Sequence, residues 1–445
     1  MGKSYFFVGI GGSGMMPLAE IVAAQGATVA GSDRSLDQGR LGAKFEGLAA
    51  RGIGLHSQDG SGIVSADQIV VASAAIEATV PDIVRATELG CARMTRAELL
   101  AELFNAAPTS IAVGGTSGKS TVTGMIGWIL DQAGRDPTIM NGAIMKNYGT
   151  GARVGSGEVF VSEVDESDGS IALYRPTVAV LNNVAIDHKS MDELRTLFGG
   201  FLAAAERAVV NADNTEAMAL ADGALTFGIA APADLRVGEL VKRPDGVDFV
   251  LNATPVTLAV PGRHNVANAL AAIGAATAVG IPLADAAAAL ATFTGLKRRM
   301  DVVGTANDIT VIDDFGHNPD KIAATLTALH AFPGRLLVFF QPHGYGPLKQ
   351  MGRELAYAFR ANLAEGDRLV VSDPAYFGGT VDRSVGSESL VEAIGEQAEH
   401  IATREACGER LLALSRTGDR IVVMGARDDT LSDFAAGLLA SLASA

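Results

Sequence analysis

The chain has 445 residues, 48% of them apolar, with 52 glycines and few aromatics, and 50 acidic against 35 basic side chains leave a formal charge of −15. This is the composition of an Ala/Gly-rich α/β protein; it excludes disorder, which needs low hydrophobicity, and a nucleic-acid scaffold, which needs a basic face. The length exceeds one ordinary core, so two or three domains are expected.

In chain order, SYFFVGI (4–10) predicts a strand, MMPLAEIVAAQG (15–26) a helix ending at glycine, and ATVAGSD (27–33) and QIVVASAA (68–75) two more strands. PDIVRATELG (81–90) and TRAELLAELF (95–104) read as helices, and NAAPTS (105–110) has a linker's composition. SIAVGGTSGKSTVTGMIGWIL (110–130) then reads as strand, glycine turn and helix. Strands follow at GEVFVSEV (157–164), TVAVLNNV (177–184) and RAVVNAD (207–213), then an irregular β-like stretch over 225–260.

The Ala-rich segment 266–284 contains Asn268 and Pro282 and reads as a buried helix with its following loop, not a membrane span. After the basic junction GLKRRMD (295–301) a last βα series has strands at ITVIDDF, RLLVFFQP, DRLVVSD and DRIVVMGA. The fold class expected is three consecutive α/β domains, at 1–107, 108–298 and 299–445. Cys91 and Cys407 lie far apart, without metal-ligand spacing, and read as reduced thiols. With no secretory cleavage pattern at the N-terminus, the expectation is a cytoplasmic protein without membrane insertion, monomeric or dimeric.

Two glycine loops carry the chemistry. Gly115-Thr116-Ser117-Gly118-Lys119-Ser120-Thr121 lies between strand and helix: the backbone admits a phosphate, Lys119 neutralises it, and the Ser120 hydroxyl suits Mg²⁺. Val113 stands where a strict phosphate loop has glycine, so this is a shortened variant. Gly9-Ile10-Gly11-Gly12-Ser13-Gly14 also follows a strand and opens a helix, with Asp33 where a ribose-binding acid is expected. NAD, FAD or another diphosphate fits that loop equally. The acidic run SEVDESDGS (162–170) offers Glu163, Asp165, Glu166 and Asp168 at a strand end; they cannot all face one site, so most are expected in solvent. NNVAIDHKS (182–190) offers Asp187 and His188 at the same edge.

GIGGSGM, GSD, GGTSGKST, EVDESD, NNVAIDH, PGRHNVANALAA, KRR, DDFGHNP and FQPH occur in that order. Together they resemble the Mur ligase family, the ATP-dependent amide ligases of peptidoglycan precursor synthesis, over nearly the whole chain. The resemblance implies a Rossmann-like N-terminal domain, a central P-loop ATPase-like domain and a Rossmann-like C-terminal domain. It implies ATP and Mg²⁺, with UDP-N-acetylmuramate and an amino acid, L-alanine first, as substrates. The resemblance also implies that an acyl phosphate forms on the carboxylate and that an amine then attacks it, releasing phosphate.

By the resemblance Gly9, Gly11, Gly12, Ser13, Gly14, Asp33 and His343 bind substrate. Gly115, Thr116, Gly118, Lys119, Ser120 and Thr121 bind ATP, with His264 and Asn268 at the adenine and Arg299, Asp313 and Asp314 where the last domain meets the nucleotide. Ser120, Glu163 and His188 hold the metal, and Lys119, Glu163, His188 and His317 act in catalysis. Two departures stand out: Phe315-Gly316-His317-Asn318-Pro319 replaces Tyr-Gly-His-His-Pro, and Gly344 follows Pro342-His343 where members that add alanine carry arginine facing the amino acid's carboxylate. Lys349, Arg353 and Arg383 are candidate substitutes. A different amine acceptor, or a member that binds nucleotide without catalysis, stays open as an alternative.

Overall fold

The computed structural model describes residues 2–444 apart from 13, 41, 74–75, 187–188, 376–381, 427 and 429, and for Ala43 the backbone alone. Three sheets follow one another. The first is formed by β1 (Ser4–Val8), β2 (Thr28–Ser32), β3 (Gly54–His56), β4 (Gln68–Ala72) and β5 (Arg93–Thr95). Its order is β3-β2-β1-β4-β5, parallel throughout, the doubly wound arrangement in which the order reverses beside β1. Phe6, Phe7, Val8, Val70 and Val71 are fully buried, as expected for strands covered by helices on both faces.

The second sheet has ten strands: β6 (Thr109–Gly114), β7 (Thr138–Met145), β8 (Thr150–Arg153), β9 (Val159–Glu163), β10 (Val178–Leu181), β11 (Arg207–Asn211), β12 (Leu225–Gly228), β13 (Leu235–Arg243), β14 (Gly246–Leu251) and β15 (Thr254–Leu258). Their order is β15-β14-β13-β12-β11-β10-β6-β9-β7-β8, so β6 lies between β10 and β9, parallel to both. The irregular stretch over 225–260 is the antiparallel-edged extension β12–β15. The hairpin β7–β8, rich in Gly and Asn, has no clean alternation and escaped the sequence pattern.

The third sheet runs β16-β17-β21-β18-β19-β20, from β16 (Asp301–Ala306), β17 (Ile309–Asp314), β18 (Leu336–Gln341), β19 (Arg368–Val371), β20 (Ala398–His400) and β21 (Arg420–Gly425), with only β16 antiparallel to its neighbour. The described chain forms two compact units, one of 1–241, 247–259 and 264–294, the other of 242–246, 260–263 and 295–445. The division between Thr294 and Gly295 falls at the start of the basic junction.

Both cysteines are free, and burial pushes their thiols upward, Cys407 to about 12, so neither is a reactive thiolate. The Ala-rich helix is Arg263–Ala278, with Val266 and Ala269–Ile273 fully buried. No helix of the described residues is long and apolar enough to cross a membrane.

A single apolar cluster joins the first and second sheets inside the first unit. Phe104, on the helix Arg96–Asn105, is fully buried and meets the ring of Phe160 on β9 at 5.6 Å and that of Tyr174 edge-on at 5.1 Å. Phe104→Ala should lower the unit's unfolding free energy by about 3–5 kcal/mol, with both sheets melting together; urea unfolding followed by the lone Trp128 and by circular dichroism checks this.

Candidate active site

The site follows from strand order. Val113 on β6 is paired with Glu163 on β9, and Gly114 with Leu181 on β10, so three neighbouring parallel strands end at one edge. Residues 115–118 turn away from β6 there, and the helix Lys119–Gln132 begins. Its first backbone amides and its dipole make the edge receptive to an anion. The N–H of Thr116 donates to the Asn183 carbonyl at 3.1 Å, and that of Ser117 to Asn183 Oδ1 at 2.8 Å. The side-chain amides of Asn182 and Asn183 donate to the Ser117 carbonyl at 3.0 and 2.9 Å. The segment after β10 therefore holds the phosphate loop through its two asparagines, whereas the sequence of 182–190 points to Asp187 and His188. Those two residues lie outside the described ones, as does Ser13.

Lys119 Nζ donates to the Gly115 carbonyl at 2.7 Å and to Glu166 Oε2 at 2.8 Å. Glu166 is buried, which corrects the expectation of a mostly solvated acidic run: Asp165 and Asp168 are exposed, whereas Glu166 balances the loop lysine. The Ser120 hydroxyl donates to Glu163 Oε2 at 2.7 Å. Two hard oxygens that close, at a helix start and a strand end, suit adjacent positions around Mg²⁺, so the described part of the expected ligand set fits the ion. Asn141 on β7 donates to the Ser120 carbonyl at 2.9 Å, and a Cβ built on its neighbour Gly142 would overlap the Glu163 carboxylate. Only glycine leaves Glu163 this path to Ser120.

The adenine-contact pair divides. His264 is exposed at the start of its helix. Asn268 is 4% exposed, accepts from Asn182 Nδ2 at 3.0 Å and donates to Asn265 Oδ1 at 3.1 Å, with its amide packed beneath Gly118. Here Asn268 supports the loop from below. Asp33 is likewise buried and turned to backbone, accepting from Gly11 N–H at 2.9 Å and Ser35 N–H at 2.7 Å, so it clamps the first glycine loop and caps the helix after β2.

The first glycine loop and Glu163 share a cavity of about 450 Å³, lined by Gly9, Gly12 and Gly14 after β1, Ser73 and Ile76 after β4, and Asn141, Gly142 and Glu163 from the second sheet. It opens at the reversal of strand order, where doubly wound sheets bind ligands.

In the second unit Arg298 is buried, donating to the Gly425 and Asp428 carbonyls at 2.7 and 2.9 Å and lying beside Asp313. Asp313 also accepts from Ser432 at 2.8 Å; Asp314 accepts from Met300 N–H, Gly316 N–H and Thr325 at 2.8–2.9 Å. Both aspartates are buried; Asp314 fastens the turn after β17 through Gly316 N–H, and Asp313 is held by Ser432 and Arg298. The resemblance places the same pair where the last domain meets the nucleotide. Arg299 is half-buried, its guanidinium 4.7 Å from the centre of the Phe315 ring.

His317 and His343 meet edge-to-face at 5.1 Å. His317 Nδ1 stands 2.8 Å from the Phe315 carbonyl, which only accepts, so Nδ1 carries the proton and Nε2 keeps its lone pair. Burial above all, then the charge of Lys321 and the neighbouring His343 and Arg299, pushes the imidazole down to about 3. Gly344 has φ 149°, a conformation that an arginine would adopt only under strain, so the departure there is built into the backbone. Among the suggested substitutes, Lys349 is exposed and paired with Asp382 at 2.6 Å, and Arg353 and Arg383 are exposed.

Family models match along the chain: the Mur ligase family catalytic domain over residues 4–107, the Mur ligase middle domain over 113–276, and the Mur ligase glutamate ligase domain over 298–427. The UDP-N-acetylmuramate–L-alanine ligase of Streptomyces coelicolor is 36% identical over 449 residues, covering 95% of each chain. Among solved structures, the UDP-N-acetylmuramate-alanine ligase of Thermotoga maritima superposes with a TM-score of 0.80 at 23% identity over 98% of both chains. A murein peptide ligase from Psychrobacter arcticus gives 0.68 at 24% identity, over 100% of this chain and 99% of that one. At those identities the two structures speak for the three-domain α/β fold, and the sequence matches speak for kinship: the chain belongs to the Mur ligase family.

Proposed function

We propose that the protein joins L-alanine to the carboxylate of UDP-N-acetylmuramate, using ATP and releasing ADP and phosphate, as a cytoplasmic ligase of peptidoglycan precursor synthesis. One observation carries this reading: the first glycine loop and Glu163 line one cavity, and Glu163 bonds the first helical hydroxyl of the phosphate loop. A carboxylate attached to a diphosphate-anchored sugar thus reaches the place where a γ-phosphate is presented. Likeness to alanine ligases over 95% of the chain favours L-alanine as acceptor.

Residues 115–121 would cradle the ATP phosphates through backbone N–H groups, with Lys119 exchanging Glu166 for phosphate oxygens. Ser120 and Glu163, with His188 by the family pattern, would hold Mg²⁺, which when bound neutralises phosphate charge and fixes its orientation. Phosphoryl transfer then asks mainly for alignment, and the resulting acyl phosphate for exclusion of water. His264 is proposed at the adenine and Arg299 at the nucleotide. His317 and His343 are assigned to the amino acid. An imidazole held near 3 is a poor base at neutral pH, so His317 acts by accepting a hydrogen bond from the incoming amine at Nε2.

Phosphate release from ATP and Mg²⁺ with UDP-N-acetylmuramate should require L-alanine and exceed that with other amino acids or the stem tripeptide. Lys119→Ala should lower it by about 100- to 1,000-fold, on the scale of one lost transition-state donor, with the UDP-sugar still bound. Phosphate release that ignores the sugar, or normal turnover in the variant, would overturn the assignment.

Gly142→Ala should push the Glu163 carboxylate off Ser120, raising the Mg²⁺ concentration for half-maximal rate on the order of 10-fold while thermal stability barely moves. An unchanged Mg²⁺ dependence contradicts the ligand assignment.

The lowered His317 value also sets a stability window. The unfolded chain takes up the proton below about 6.5 and the folded chain only near 3, so stability falls as pH drops between them. From pH 6.5 to 5 the loss is about 2 kcal/mol. Urea midpoints at those two pH values should differ less in His317→Phe than in the parent protein.

A further inference from the structure

The cavity beneath the first glycine loop contains a cation that none of the roles above uses. Arg96 is the first residue of the helix Arg96–Asn105 and lines the cavity together with Gly9, Gly12, Gly14 and Glu163. Its side chain runs along Gly14: a Cβ there would stand 3.0 Å from Arg96 Cδ and 3.5 Å from Nη1. Gly14 is the residue before the helix Met15–Ala24, so the guanidinium lies at that helix's N-terminal end.

The nearest acid on its own helix is engaged elsewhere. Glu98 accepts from Thr95 N–H at 2.7 Å and from the Thr95 hydroxyl at 2.9 Å. Among the described residues Arg96 has no hydrogen bond and no ion pair. Its field reaches the acidic strand end: against the upward push of burial, hydrogen bonds from Ser167 and then the charges of Lys119 and Arg96 hold the Asp165 carboxyl below the usual carboxylate range.

A half-buried guanidinium without a partner, facing a cavity, is arranged for an anion that arrives from outside. The glycine loop itself, residues 9–14, contains no basic residue. Its helix dipole amounts to only about half a charge, against roughly two on a diphosphate. Resting on the functional reading above, we infer that Arg96 is the charge partner of the UDP-sugar's diphosphate, setting affinity and placing the sugar's carboxylate toward Glu163. Its position beside Gly14, at the helix end, favours the diphosphate over the sugar's carboxylate, the other anion the cavity would receive. Arg96 acts by positioning and takes no part in bond making.

The test measures binding of UDP, UDP-N-acetylglucosamine and UDP-N-acetylmuramate by calorimetry to the intact protein and to Arg96→Ala and Arg96→Lys. Arg96→Ala should weaken all three ligands by similar factors, about 10- to 100-fold as expected for one lost charge-assisted contact. Arg96→Lys should recover part of the loss, and the KM for ATP and the thermal midpoint should stay unchanged in both. Loss confined to UDP-N-acetylmuramate would overturn the diphosphate assignment and give Arg96 to the carboxylate; no loss for any ligand would remove it from the site. If the unaltered protein binds none of the three, the ligase reading itself fails, a result distinct from either arginine outcome.

Discussion

Everything in the nucleotide site depends on the parallel pairing of β6 with β9 on one side and β10 on the other. A strand can present only its own C-terminal turn. With a parallel neighbour on each side, three turns arrive at one edge, following Gly114, Glu163 and Leu181 in the sequence. One brings the glycine loop and Lys119, one brings Glu163 and Glu166, and one brings Asn182 and Asn183. The main-chain ladder thereby fixes relative positions that no local propensity could set.

That edge is charge-balanced before any ligand is present. Lys119 is paired with Glu166, and the Ser120 hydroxyl is bonded to Glu163. Such pairing keeps the half-buried ammonium and carboxylates from being stranded without a partner, and it makes phosphate and metal entry an exchange of partners. The asparagines underneath have the opposite character. Asn182 and Asn268 are buried and bonded to each other, and they stiffen the loop whatever occupies it. Stiff support below and exchangeable charges above are what preorganised electrostatic catalysis requires.

The second unit applies the same device to a different end. Arg298, Asp313 and Asp314 are buried: Arg298 bonds the Gly425 and Asp428 carbonyls, Asp313 the Ser432 hydroxyl, and Asp314 the Met300 and Gly316 N–H groups and the Thr325 hydroxyl. They hold Phe315 and His317 in place, and His317 stays neutral because it is desolvated and surrounded by like charge. The glycine at 344 belongs to this region too. Its backbone geometry, unsuited to an arginine, means that any cation serving the acceptor's carboxylate must come from another position.

Much of this was legible in the chain. The apolar runs SYFFV, SIAVG, VFVSE, TVAVL, ITVID, LLVFF and RIVVM predicted strands, and the structure pairs them in parallel, where strands covered on both faces need continuous hydrophobicity. The two glycine loops announced phosphate binding, because their chemistry is local: backbone amides, one lysine and one hydroxyl within a few residues. The order of the short motifs carried the family. The hairpin β7–β8 was not legible, its strands being mixed in composition. Nor were Glu166 as the partner of Lys119, Asn182 and Asn183 as holders of the loop, Gly142 as the gap that admits Glu163, or the inward turn of Asp33, Asn268, Asp313 and Asp314. Each depends on a neighbour far away in sequence. Whether a carboxylate or an amide faces a ligand or the protein's own backbone is decided by which strand lies beside it, and strand order is a property of the fold as a whole.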